Sequence, residues 1–319
     1  MMRDLGDLLE LAGAPRRRPQ LAPPDLAPWL QGNVLPGVWS FDGPASGPHV
    51  CVVSLTHGNE IAGAVALDRL LRAGIRPCAG RLSLVFANLD AFARFDPQDP
   101  TASRFVDEDL NRLWDHAVLD GPRRSVELRR ARALRPVLDA AEVVLDLHSM
   151  LWPSDPLCLV GGPADSLELA LRLGAAPLVV GDAGHEAGRR LIDYGLFGVP
   201  RSGRRGVLLE AGWHWEEATA VRMEQAVRAL LHVTGLRPGM PPLSETPRVA
   251  QVTRTVTARS RRFAFTRPWR GGEVVPRAGT LLALDDGQDI RTPHDDCLLV
   301  MPNLLPQQDQ TALRLAAYV

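Results

Sequence analysis

Two histidines and a glutamate stand in the sequence where they could grip a metal ion together. His57-Gly58-Asn59-Glu60 follows directly on the apolar run His49-Val50-Cys51-Val52-Val53-Ser54-Leu55-Thr56, so His57 and Glu60 can project toward one point at the end of that run. His148 ends a second apolar run, Glu142-Val143-Val144-Leu145-Asp146-Leu147. Two imidazoles and one carboxylate are the ligand set of a catalytic zinc that keeps one position open. The His-x-x-Glu spacing recurs by chance, and a lone histidine at a strand end is more often a hydrogen-bonded structural residue. It is the combination of the two contexts that points to a site. Asp146 lies two residues before His148 and hence on the same strand face. It can orient a zinc-binding histidine from behind, or equally pair with an arginine. The other histidines (His49, His116, His185, His214, His232, His294) have no such context and read as structural.

The elements that must position these residues follow from the hydrophobic pattern. Both apolar runs read as buried strands. Glu60 to Ala73 is apolar nearly all round apart from Asp68, Arg69 and Arg72, with Gly74 placed to stop it, so it reads as a mostly buried helix. Arg81 to Ala87 is a further strand. Asn88 to Trp114 is a long loop in which Arg104, Asp109, Asn111 and Arg112 interleave with Phe105 and Leu110, and loops of that length are usually functional or disordered. A helix from about Arg123 to Ala140 leads into the His148 strand. Strands near 157–160, 178–180 and 207–209 then alternate with helices near 166–173 and 215–233. The alternation implies an α/β fold, a mixed, largely parallel sheet flanked by helices, and ligands of such sheets gather outside the carboxyl ends of the strands. Past the proline-rich stretch Leu236 to Pro247 the pattern changes to short alternating runs such as Val249 to Thr253 and Arg262 to Phe265. The expected division is a catalytic α/β domain over residues 1–240 and a smaller β-rich C-terminal domain over 241–319.

Composition narrows the chemistry. The chain has 319 residues, 45% hydrophobic and 23% charged, with a net charge of -1. All 36 basic residues are arginines, which excludes Schiff-base lysines and the phosphate-cradling Walker lysine. The guanidiniums that remain suit carboxylates. The short clusters Arg16 to Arg18, Arg204-Arg205 and Arg261-Arg262 are offset by an equal load of acids, so nucleic acid is not an expected partner. The four cysteines are far apart with no CxxC pair, which fits a reducing cytoplasm. The N-terminal stretch lacks the pattern of a signal peptide, and no run approaches a membrane span. A cytoplasmic protein with a small-molecule ligand is expected; homo-oligomerisation is left open.

Four segments, in order and spacing, resemble the succinylglutamate desuccinylase and aspartoacylase family, relatives of zinc carboxypeptidases: Ser54 to Glu60, Arg104 to Arg112, Asp146 to His148, and Leu209-Glu210-Ala211-Gly212. The resemblance spans about residues 49–235, and the tail around Val300-Met301-Pro302-Asn303 is also similar. It implies a carboxypeptidase-like fold and a zinc hydrolase that removes an acyl group from an N-acyl amino acid, with one Zn2+ held by His57, Glu60 and His148. Glu210 matches the family's catalytic glutamate; a carboxylate there could alternatively cap the following helix. Arg104 matches the arginine that polarises the scissile carbonyl, and Asn111 and Arg112 match the clamp on the substrate carboxylate. A further substrate-binding arginine is expected shortly before Glu210. Arg201 is taken for that role, with Arg204 and Arg205 as the other two choices. Neither Tyr194 nor Tyr318 sits where the family's C-terminal tyrosine would, so Trp213, His214 and Trp215 become candidates for an acyl-pocket wall, with core packing the competing use of the tryptophans. Two rival readings share the metal site: a zinc carboxypeptidase acting on peptides, and a metal- or carboxylate-binding protein without turnover.

Overall fold

The computed structural model describes residues 19–184, 186–239 and 246–319. Strand β1 (Val38–Asp42) leads to β2 (Ala45–Ser54), helix α1 (Ile61–Arg72) and β3 (Ala79–Phe86). The expected long loop follows, interrupted only by a short helix, α2 (Leu89–Phe92), and a 3-10 turn at Leu110–Arg112. Then come α3 (His116–Leu119), α4 (Val126–Ala140), β4 (Val143–Met150), β5 (Leu157–Val160), α5 (Ala164–Leu173), β6 (Leu178–Gly181), β7 (Arg205–Trp213) and α6 (Glu217–Val233). The C-terminal region holds β8 (Arg248–Thr257), β9 (Ala264–Phe265), β10 (Val274–Val275), β11 (Leu281–Asp285), β12 (Gln288–Arg291), β13 (Cys297–Val300) and β14 (Thr311–Tyr318).

The sheet is mixed and largely parallel through its centre. β3, β2, β4 and β7 run parallel as neighbours, β5 inserts antiparallel beside β7, and β6 returns parallel to β5. Both faces are covered, and the period-two alternation of strand side chains explains how. Val50 and Val52 of β2 point into one core with Leu67 and Leu70 of α1 and Met223 and Val227 of α6. Cys51 and Val53 point into the opposite core with Leu128, Leu134 and Leu138 of α4. A strand buried on both sides cannot alternate in hydrophobicity, which is why the sequence showed an unbroken apolar run there.

An antiparallel C-terminal β region follows, built from β8, β14, β13 and β10, with β12, β11 and β9 forming a small separate sheet. Its first strand joins the central sheet directly: β8 pairs in parallel with β6, Val179 opposite Val249. The hydrogen-bonded ladder therefore continues from one region into the other. The expected division at residue 240, the N-terminal stretch read for a leader, and His185 lie outside the described residues. No helix among the described residues is long and apolar enough to cross a membrane.

Candidate metal and hydrolytic site

The parallel strands deliver their carboxyl ends to one edge, and the site is built there. β2 stops at Ser54, and the chain turns through Leu55, a fully buried residue with φ of 55°. A non-glycine residue in that region is uncommon, and such strain persists where the surroundings over-determine it. The turn places His57 and Glu60 above β2, with Glu60 N donating to His57 O at 3.2 Å. Gly58 N donates to Arg104 O at 3.0 Å, which docks the long loop on the turn. Trp215 locks the turn from the other side, its indole Nε1 donating to Asn59 O at 3.1 Å. Trp215 belongs to the main core, so packing is its use, while half-buried Trp213 lies edge-on against it.

Glu60 is the centre of the arrangement and only 2% exposed. His57 Nδ1 lies 2.7 Å from its Oε1 and His148 Nδ1 lies 3.1 Å from its Oε2. Ser149 N donates to Oε2 at 2.9 Å. Arg104 reaches Oε1 at 3.3 Å and Asp109 Oδ2 at 3.2 Å. The outer nitrogen of each imidazole meets a carboxylate: His57 Nε2 with Asp109 Oδ1 at 2.9 Å, and His148 Nε2 with Asp146 Oδ2 at 2.8 Å. Asp146 is held in turn by Thr56 Oγ1, which donates to Oδ1 at 2.8 Å. Arg104 Nη2 also stands 2.9 Å from His57 Nε2. The two contacts at Nε2 exclude each other: protonated, Nε2 donates to Asp109 Oδ1; unprotonated, it accepts from Arg104 Nη2.

The electrostatics divide the carboxylates sharply. Burial alone would raise Glu60, but the charges and hydrogen bonds of His57 and His148 outweigh it and hold the carboxyl well below its usual range. Asp109 is likewise held low by His57 and Arg104 against the effect of burial. Burial acts to lower His148, yet Asp146 and Glu60 carry it well above the ordinary imidazole value. Glu210 sits on β7 directly opposite His148 of β4. It is 6% exposed, and its Oε2 is buried without a hydrogen-bond partner. Burial pushes it up to about 8, with His148 and Arg104 opposing and Glu60 reinforcing. It lies within β7, and the residue that precedes α6 is Glu216, so Glu210 does not serve as a helix cap.

Other expected site residues divide. Asn111 is buried, its Oδ1 accepting from Leu191 N at 2.8 Å, and half-buried Arg112 donates to Asn111 O at 2.7 Å. Arg201 is not brought to the other candidates: it is exposed, at φ of 60°, in the turn before β7. Arg205 pairs with Val143 at the start of β4 while Glu210 pairs with His148 near its end, so the two sheet edges stand about 16 Å apart at the usual strand rise. Arg204 is spent at the same far edge, donating to Asp139 O and Ala141 O at 2.6 Å. Two other arginines, Arg190 and Arg314, are buried against Asp182. His214, one of the acyl-pocket candidates, has its Nδ1 2.8 Å from Ser149 Oγ, and what the sequence reading passed over is the histidine-supporting role of Asp109. That role had a signal, a carboxylate inside the segment that also carries Arg104 and Arg112.

Two outcomes test this geometry. A Cβ on Gly58 would stand 2.5 Å from backbone atoms of Ala91, Phe92 and Ser103. Gly58→Ala should therefore displace the loop and destabilise the protein by roughly 1–3 kcal/mol, measured by denaturant unfolding; an unchanged midpoint would refute the contact. Glu210 binds its proton more tightly folded than unfolded, so between its ordinary value of 4.5 and about 8 the folded state carries the extra proton and stability falls as pH rises. Metal-free wild type compared with Glu210→Gln should lose up to about 1.4 kcal/mol per pH unit across that window, and parallel stability curves would contradict it.

Residues 46–234 match the sequence model of the succinylglutamate desuccinylase/aspartoacylase catalytic domain. The chain is 37% identical over 135 residues to a probable aspartoacylase of Parasynechococcus marenigrum, covering 40% of this chain and 42% of that protein. It is 31% identical over 137 residues to a succinylglutamate desuccinylase of Pseudoalteromonas atlantica, covering 38% and 37%. The match thus spans about two fifths of the length of these curated relatives. The crystal structure of a succinylglutamate desuccinylase from Vibrio parahaemolyticus superposes with a TM-score of 0.67 at 17% identity, covering 89% of this chain and 87% of that one, which shows the shared fold. With the catalytic-domain model matching more than half of its length, the chain belongs to the succinylglutamate desuccinylase/aspartoacylase family.

Proposed function

We propose that the chain is a zinc-dependent deacylase that hydrolyses an N-acyl amino acid or a similar small amide bearing a carboxylate. The observation that carries the reading is a second buried carboxylate, Glu210, with one oxygen unpartnered beside a two-histidine, one-glutamate donor set. The donor set fits a metal ion. Ligand atoms of His57, Glu60 and His148 all lie within 4.8 Å of one another, and each imidazole turns Nδ1 inward while a carboxylate holds its Nε2. A bound divalent cation would supply Lewis-acid polarisation and acidify water there.

The residues then divide the work. Glu210 takes a proton from the attacking water and passes it to the departing nitrogen. Arg104, 38% exposed at its side chain and so accessible from the cleft, places a guanidinium where the carbonyl oxygen gains charge. Arg112 grips the carboxylate of the amino acid, and Asn111 contributes through its amide nitrogen, because its oxygen is committed to Leu191. The curated relatives are named for aspartoacylase and succinylglutamate desuccinylase, and both names fit this division of labour.

Glu210→Gln keeps the shape and removes the proton carrier, so turnover on a panel of N-acetyl, N-succinyl and N-formyl amino acids should fall roughly 10²- to 10⁴-fold with metal content unchanged. Wild-type rates in that variant would sink the assignment, and turnover of C-terminal peptides in place of the panel would favour a carboxypeptidase. His57→Ala should lose most of its zinc by elemental analysis; full occupancy would remove His57 from the ligand set.

A further inference from the structure

Glu60 has partners of two kinds. His57 and His148 meet it through Nδ1, and an imidazole that gives its Nδ1 lone pair to a cation has no proton on that atom to donate. With a cation held, the donors left to Glu60 are Arg104 at Oε1 and the backbone N–H of Ser149 at Oε2, 3.3 and 2.9 Å away. A ligating carboxylate keeps its orientation through such hydrogen bonds, so the donor set depends on where Ser149 sits.

Sheet pairing alone does not fix Ser149. His148 pairs with Glu210 and Met150 with Trp213, so two residues of β7, Ala211 and Gly212, stand against Ser149 alone on β4. This is a β-bulge, at which the ladder is locally disrupted. His214 ties the two strands together there. Its backbone N donates to Met150 O at 3.0 Å, and its Nδ1 lies 2.8 Å from Ser149 Oγ. Both side chains are buried. Burial pushes His214 down to about 4, with Glu60 opposing and Arg104, His57 and His148 adding to the effect; the imidazole therefore enters as a neutral hydrogen-bonding group.

Packing does not call for this pair. Leu147, two residues before Ser149 and hence on the same strand face, lies in the main core with Leu209 and Trp215. Replacing both partners of a buried hydrogen bond by apolar groups of the same shape is nearly neutral, so a polar contact in that place is explained by what it holds. The next residue works toward the same end. The Trp215 ring stands edge-on to the His214 ring at 5.3 Å, and its indole donates to Asn59 O. Consecutive residues 214 and 215 thus brace Glu60 at both ends, one through Ser149 at the carboxylate and the other through the backbone just before it.

We propose that His214 is a positioning residue for the metal ligand Glu60: through Ser149 Oγ it fixes the backbone N–H that orients the Glu60 carboxylate for a divalent cation. His214 itself touches neither cation nor substrate. The inference rests on the His57, Glu60 and His148 donor set proposed above and not on the identity of the substrate.

The test is the zinc affinity of the full chain, read by competition with a chromophoric chelator, beside the unfolding midpoint of each metal-free variant. His214→Leu should weaken zinc binding roughly ten- to hundredfold. His214→Asn, whose amide can occupy the place of Nδ1, should recover most of the loss, and His214→Gln, whose amide reaches the place of Nε2, should not. Ser149→Ala should show the same weakening and carries the test if His214→Leu does not fold. Combined with His214→Leu it should add little, as two members of one contact do. Unchanged zinc affinity in His214→Leu or Ser149→Ala, additive losses in the double variant, or losses that follow the unfolding midpoint whichever amide is present would overturn the proposal. A wild type that takes up no zinc would remove the donor set and this proposal together, whereas zinc held equally by wild type and His214→Leu removes this proposal alone.

Discussion

The site depends on one electrostatic constraint, an ionised carboxylate at Glu60 almost sealed from water. A buried charge without partners is prohibitively costly, so each oxygen must be met by positive or hydrogen-bonding groups. Glu60 meets this with two imidazoles, one guanidinium and the backbone N–H of Ser149. The requirement propagates outward. Each imidazole needs an acceptor for its outer nitrogen, which Asp109 and Asp146 supply, and Asp146 needs Thr56. Three segments distant in sequence are thereby fixed in one network, and removing any member leaves another buried polar group unsatisfied.

Satisfying that network demands a rigid platform and an ordered loop. Parallel strands β2, β4 and β7 provide the platform, because their shared direction brings His57, His148 and Glu210 to the same edge. The loop is ordered from beneath by Glu127, a fully buried carboxylate near the start of α4. It accepts from the backbone nitrogens of Val106, Asp107 and Glu108 and from Asn88 Nδ2. Asp107 returns the favour by accepting from Val126 N at the start of the same helix. A segment without regular structure is thus pinned within a few residues of Arg104 and Asp109, which is how loop residues can hold a geometry as exacting as that around His57.

What could be read from the sequence follows the range of the interactions. His57, Glu60 and His148 were legible because each sits at the end of an apolar run, and strand ends converge in a parallel sheet. Arg201 stays apart from them for the complementary reason. Nearness in sequence to Glu210 counted as nearness in space, whereas an intervening extended strand carries residues apart by more than 3 Å each. Arg190 and Arg314 meet at Asp182 across a sequence separation that no local pattern records. The joining of β8 to β6 is equally non-local. The task of Glu127 leaves no local mark in the sequence, and only the turn of the preceding loop onto it reveals it.

Two glutamates on adjacent parts of one sheet edge end in opposite states, and that contrast constrains the chemistry more than either residue alone. Both oxygens of Glu60 are partnered and it is held ionised, the form in which a carboxylate can bind a cation. Glu210 keeps an unpartnered oxygen and is pushed up to about 8 by burial, with the charges of His148, Arg104 and Arg314 opposing the shift. Environments that push a pair of carboxyls apart in this way assign one to charge and the other to proton traffic. The cations that temper Glu210 are His148, Arg104 and, from the C-terminal region, Arg314. A divalent charge at the donor set would draw Glu210 further toward its ionised form and ready it to accept a proton. Exchanging the two roles would require moving the imidazoles, because the lone pairs they satisfy belong to Glu60.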